Sequence, residues 1–125
     1  MNLGDIVCDF EYAEKLSELG LNRESVFFYW GNKIKLCGMF DYNKYNPSLR
    51  TYTVAELGEM LPKSIGYVRD CEMFLSFYKN GDEYEYDYNC RSSSLCSDKK
   101  EANSRAKLLI WLIENKHVKV EELNG

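Results

Sequence analysis

"CEMFLSFYKNGDEYEYDYNC", residues 71–90, decides how the rest of the chain is read. Two runs of alternating character flank Asn80-Gly81, a dipeptide that readily forms the two-residue turn of a β-hairpin. A turn there pairs Phe77 with Tyr84, Leu75 with Tyr86, Met73 with Tyr88 and Cys71 with Cys90, all on one face. The other face then carries Glu72, Phe74, Ser76 and Tyr78 against Asn89, Asp87, Glu85 and Glu83. Side chains alternate along a strand, so this spacing predicts an apolar face turned to a core and a largely acidic face turned to water.

Upstream, "ESVFFYWGNKIKLCGM", residues 24–39, offers a second hairpin about Gly31-Asn32. It places Trp30 opposite Lys33, Phe28 opposite Lys35 and Val26 opposite Cys37. Phe27, Tyr29, Ile34 and Leu36 share the other face and are all apolar or aromatic, which assigns them to the core.

Three helices surround these hairpins. In "CDFEYAEKLSELGLN", residues 8–22, Asp9 is a natural N-cap, and Tyr12, Leu16 and Leu19 recur at helical spacing. Gly20 then stands where a left-handed C-terminal residue is wanted, and Leu21 can fold back on the last turn. In "TVAELGEMLP", residues 53–62, Thr53 and Glu56 have capping-box spacing, Val54, Leu57 and Leu61 form the apolar side, and Pro62 marks the stop. Gly58 inside this helix costs about 1 kcal/mol of propensity, which points to a close backbone approach. In "KKEANSRAKLLIWLIENKHVKV", residues 99–120, Ala102, Ala106, Leu109, Ile110 and Ile113 make a stripe that Leu108, Trp111 and Leu112 broaden. Ser97 or Asp98 can cap it, and its breadth predicts a lid over the sheet. Residues 40–52 and the polar stretch before residue 99 are expected to be loops.

The expected fold is therefore one α+β domain over residues 1–125, in the order α-β-β-α-β-β-α. Two antiparallel hairpins form a single sheet, with the helices packed on its apolar face.

Composition removes several functions. Twenty acidic and 16 basic residues give a net charge of −4, without the concentrated basic excess of a dedicated nucleic-acid binder. His117 is the only histidine, and nothing near it resembles a nucleophile with a supporting base. No catalytic residue is assigned, and the protein is expected not to be an enzyme. Cys90 and Cys96 stand too far apart for a zinc knuckle and no second pair completes a site, so no metal is expected. The glycines match neither a dinucleotide nor a phosphate loop, so no cofactor is expected. No apolar run approaches the roughly 20 residues of a membrane span, and the N-terminus lacks a signal-peptide pattern. Five irregularly spaced cysteines then suggest free thiols in a reducing cytoplasm; the cross-strand pair Cys71 and Cys90 has a separation compatible with a disulfide but is expected as two packed thiols.

What remains is surface. Glu83, Glu85 and Asp87 form a row of negative charge that a basic groove on a partner could engage, and Phe74 and Tyr78 share their face. On the other hairpin, Phe28 and Trp30 accompany Lys33 and Lys35, a combination that stacks bases or binds protein. The acidic total favours protein over nucleic acid. Should Phe28, Trp30, Phe74 and Tyr78 cluster outside, a homodimer would cover them. Ordinary structure explains much of this as well, since strands alternate and lysines of one hairpin can balance carboxylates of the other. The alternative function is binding of a small molecule or nucleotide between sheet and helices, near Tyr42, Tyr45 and Tyr52.

The phrases "YTVAELGEMLP" and "EANSRAKLLIWLIENKHVK", with "CDFEYAEKLSELGLNRESVFFYW" before them, resemble a group of small proteins encoded by phages and prophages, notably of gut bacteria. The resemblance covers nearly the whole chain. It implies a phage or mobile-element origin and a life in the cytoplasm of the bacterial host. That group carries no assigned activity, so it transfers no functional residue. It suits a non-enzymatic accessory protein that binds a host or phage protein. Inhibition of a bacterial defence system is one concrete form, with Glu83, Glu85 and Asp87 presented to a basic nucleic-acid channel.

Overall fold

A computed structural model of the chain describes residues 3–36, 49–68, 70–88 and 96–124. Among them the architecture is α+β. After a short 3-10 turn at Leu3–Asp5 come α1 (Phe10–Glu18), β1 (Phe27–Trp30), β2 (Lys33–Leu36) and β3 (Leu49–Thr51). Then follow α2 (Val54–Met60), β4 (Ser64–Val68), β5 (Cys71–Asn80), β6 (Glu83–Tyr88), β7 (Cys96–Asp98), α3 (Glu101–Glu114) and α4 (Val120–Asn124).

The strands form two antiparallel sheets, ordered β2-β1-β3 and β4-β5-β6-β7. This corrects the expectation of one sheet made from two hairpins in the order α-β-β-α-β-β-α. Each hairpin instead recruits its own short neighbours. Thr51 pairs with Phe27 and Leu49 with Tyr29, which puts a strand inside the supposed tyrosine-rich loop. Tyr67 pairs with Glu72, and Cys96 with Tyr86. Strands of three to five residues show too little alternation to stand out in sequence, and pairing partners decide them.

The first hairpin has the expected register, with Trp30 opposite Lys33 and Phe28 opposite Lys35. The second turns one residue later, on Gly81-Asp82, with Gly81 at φ +64. Leu75 now faces Tyr88, Phe77 faces Tyr86 and Lys79 faces Tyr84. Each residue of β5 thus meets a partner two positions further on, and a slip of two leaves every side chain on its predicted face. Cys71 is disulfide-bonded, so the expectation of five free thiols fails there, while Cys8 and Cys96 are free. Its expected cross-strand neighbour Cys90 lies outside the described residues.

The helix ends follow local chemistry. At α1, Gly20 adopts φ +100, the Gly20 N–H donates to the Ser17 carbonyl, and the Leu21 N–H donates to the Leu16 carbonyl at 3.0 Å. That is the double bond pattern of a Schellman motif. At α2, the Glu56 N–H donates to Thr53 Oγ1 at 3.2 Å while the Thr53 N–H donates to Glu56 Oε1 at 2.9 Å, completing the capping box. At α3, Lys100 rather than Ser97 or Asp98 is the N-cap, because residues 96–98 are drawn into β7.

α3 packs on α1, α2, β6 and β7, while α1 also packs on β3. One buried cluster joins Ala13 and Leu16 of α1, Tyr29 of β1, Leu57 and Met60 of α2, Met73 of β5, Tyr86 and Tyr88 of β6, and Ala102, Ala106, Leu109 and Leu112 of α3. The helices therefore fill the space shared by both sheets rather than lying on one face of a single sheet. Two polar residues of α3 are also buried. Ser104 Oγ donates to the Tyr84 carbonyl at 2.8 Å, and Asn103 bonds to Asp9.

Candidate functional site

The four-stranded sheet has an inner face, covered by α3 over β6 and β7, and an outer face. Register places Glu72, Phe74, Ser76 and Tyr78 of β5 on the outer face, with Tyr67 of β4 opposite Glu72. Glu83, Glu85 and Asp87 of β6 complete it, with Glu85 opposite Tyr78 and Asp87 opposite Ser76. Three aromatic rings stand out from this face: Tyr67 is 72% exposed, Phe74 47% and Tyr78 56%. Scattered apolar side chains on a surface are ordinary, but three large aromatics on adjacent strands of one face are not.

The acidic row differs from the expectation. Glu83 and Glu85 are half-buried, and Asp87 is only 4% exposed. β6 is an interior strand whose last three residues are buried on both of its faces. An alternating strand presents a continuous charged row only where its outer side stays open, and here that row closes at Asp87.

The aromatic-and-lysine face of the first hairpin is also partly closed. Phe28 is fully buried, Lys35 is half-buried, and only Trp30 and Lys33 at the hairpin end are exposed. Phe28 and Trp30 lie in the three-stranded sheet, whereas Phe74 and Tyr78 lie in the other. The four aromatics expected to form one homodimer patch therefore do not share a sheet. Of the tyrosines near the alternative ligand site, Tyr42 and Tyr45 fall outside the described residues. Tyr52 is buried and its hydroxyl donates to the Arg23 carbonyl at 3.0 Å, an anchoring role.

A concavity of about 600 Å³ beside the start of α3 gathers Asp5, Asp9, Asp98 and Glu101 with Lys99 and Lys100. Most of its charged groups are already paired, with each other or with neighbours outside it. Asp9 accepts from Lys100 Nζ at 2.5 Å and from Asn103 Nδ2 at 2.8 Å. Burial alone would raise the Asp98 carboxyl, but the Lys100 N–H at 2.9 Å and the Lys107 ammonium at 2.9 Å outweigh it and hold the group below its ordinary range. Glu101 accepts from the Tyr86 hydroxyl at 2.6 Å and from Arg105 at 3.3 Å. A general acid or base working near neutral pH needs a carboxyl raised toward that pH, and the bonds to Asp98 move it the other way. His117 stacks on Trp111 at 5.0 Å, where the chain leaves α3. Among the described residues no group of three or more metal-ligating side chains converges, and no helix is long and apolar enough to cross a membrane.

The outer face thus keeps Glu72, Phe74, Tyr78, Glu83 and Glu85 from the sequence reading and adds Tyr67. Tyr67 was missed because β4 was missed. Its signal was "SIGYV", a short β-prone run bounded by Pro62-Lys63 and Arg69-Asp70. The chain matches no protein-family model, no curated protein and no solved structure.

Proposed function

We propose that this protein is a non-enzymatic binding protein that engages another protein through the outer face of β4, β5 and β6. The exposure of Tyr67, Phe74 and Tyr78 on that one face carries the proposal. Aromatic side chains bring a large contact area with few rotors to freeze, which is why they dominate the energetic centres of protein interfaces. The phage or prophage setting, the cytoplasm of the host and the interference with host defence rest on the sequence resemblance alone, and the proposal does not depend on them.

The test compares wild-type protein with the Phe74→Ser/Tyr78→Ser variant as bait in a bacterial lysate. One stoichiometric partner held by the wild type and lost by an equally stable variant is the expected result. Identical recovery on both baits, or recovery of nothing, rejects this face as the binding surface.

A further inference from the structure

Independently of the outer face, we infer that this chain exchanges its C-terminal segment with a second copy of itself. In the exchanged dimer α3 and α4 straighten into one helix about Lys116, and residues 118–124 dock on the partner as they dock here on their own chain. The bend at Lys116 carries the inference. Lys116 is exposed and adopts φ +61, with its N–H on the Ile113 carbonyl at 3.1 Å. The comparable turn at the end of α1 falls on Gly20, at φ +100, where no Cβ resists it. At Lys116 the Cβ crowds the following carbonyl.

Nothing in the local sequence demands that break. Residues 99–124 contain neither glycine nor proline. The apolar positions also keep helical phase across it: Val120 follows Ile113 by seven residues and Leu123 follows Leu112 by eleven, two and three turns of a continuous helix. Residues 114–117 are exposed, so straightening uncovers no core there. The side-chain contact given up is the stacking of His117 on Trp111 at 5.0 Å. The amides of Lys116 and His117 move to the Leu112 and Ile113 carbonyls, and those of Val118 and Lys119 take the Glu114 and Asn115 carbonyls.

What holds α4 in place resides in α4 itself. Asn124 grips the end of α1 with both ends of its amide: Oδ1 accepts from the Asn22 N–H at 2.6 Å and Nδ2 donates to the Gly20 carbonyl at 3.0 Å. Val120 Cγ1 lies 3.5 Å from the point where a Cβ on Gly20 would stand, and Val118, Val120 and Leu123 pack against the buried cluster. An identical segment from a second copy satisfies each of these contacts, which no foreign chain is built to do. The exchange therefore conserves the docking of α4 and relieves a left-handed residue in each chain, against the lost freedom of two molecules joined.

The test warms and re-cools concentrated protein so that α4 undocks and redocks, then resolves the species by size with light scattering. Wild type and Lys116→Ala should both yield a dimer, because the backbone and not the ammonium is at issue. Lys116→Gly should lower the association constant at least about a hundredfold, about tenfold for each left-handed residue no longer relieved. In the isolated dimer, hydrogen exchange should show the Val118 and Lys119 amides protected like those of central α3. The Phe74→Ser/Tyr78→Ser variant should dimerise like wild type, which separates this contact from the outer face. Monomer alone in wild type, a dimer equally abundant in Lys116→Gly, a dimer lost in the serine variant, or one whose Val118 and Lys119 amides exchange as in the monomer, overturns the inference.

Discussion

Gly58 of α2 lies directly against the Arg105 guanidinium of α3, so that a Cβ at position 58 would occupy the same space as Nη1. Arg105 is held there by the Val54 carbonyl at 2.8 Å, the Tyr86 hydroxyl at 2.8 Å and Glu101 at 3.3 Å. The glycine that weakens α2 as a helix is what lets α2 and α3 meet around a half-buried cation.

Substituting that glycine should therefore invert the ordinary rule. Gly58→Ala gains about 1 kcal/mol of helix propensity. It also displaces a guanidinium whose charge-assisted bonds each contribute about 1.5–3 kcal/mol. A net loss of about 1–2 kcal/mol is expected in urea unfolding. In an Arg105→Met background the same change should stabilise, and a cycle with the same sign in both backgrounds would disprove the contact.

Asn103 is a buried polar clamp. Its Oδ1 accepts from the Asp9 N–H and its Nδ2 donates to Asp9 Oδ2, both at 2.8 Å. Asn103→Ala leaves the first amide of the α1 entrance without its partner, which should cost about 2–3 kcal/mol. Hydrogen exchange should show α1 loosening before the sheets. A loss below about 0.5 kcal/mol would mean that water replaces the clamp without penalty.

Lys116 ends α3 with φ +61, and the His117 N–H donates to the Leu112 carbonyl at 2.9 Å. This is a second Schellman motif, built on a residue that has a Cβ. Lys116→Gly should stabilise by about 1 kcal/mol and raise the melting temperature by about 3–6 °C. An unchanged or lower melting temperature would show that this turn relaxes without strain.

Burial pushes the Tyr29 and Tyr86 phenols up to about 12, and the bond that Tyr86 donates to Glu101 adds to its shift against the opposing pull of Arg105. Burial raises Tyr88 as well. A phenol with a raised folded pKa contributes stability that is fully present below its unfolded value of about 10 and is lost as pH rises through the folded value. Tyrosinate absorbance should therefore show a late component near pH 12 that coincides with loss of circular dichroism. Complete ionisation near pH 10 with the fold intact would contradict that burial.

The parts of this structure legible in sequence are those decided within a few residues. Gly31-Asn32 set the first hairpin, Thr53 and Glu56 closed their box, and Gly20 took its left-handed turn. The facing of the second hairpin survived an error in its turn because a two-residue slip preserves sides. What escaped depends on distant partners. β3, β4 and β7 exist because β1, β5 and β6 offer open edges, and three to five residues cannot announce this by themselves. Asp87 has the sequence context of an exposed acid, yet it lies where both faces of β6 are covered. Within the candidate site, Phe74 and Tyr78 were visible by alternation, whereas Tyr67 needed the sheet.

Gly66, at φ +97, sits where the register between β4 and β5 shifts between Ser64 and Tyr67. β4 is the outermost strand on its side of the sheet, next to the exposed rings. A straight border there would template the addition of stranger chains and, repeated, the growth of a fibril. The kink breaks the spacing of amides that such growth copies. The protein can thus expose Tyr67, Phe74 and Tyr78 beside this edge without offering there a straight strand for another chain to copy.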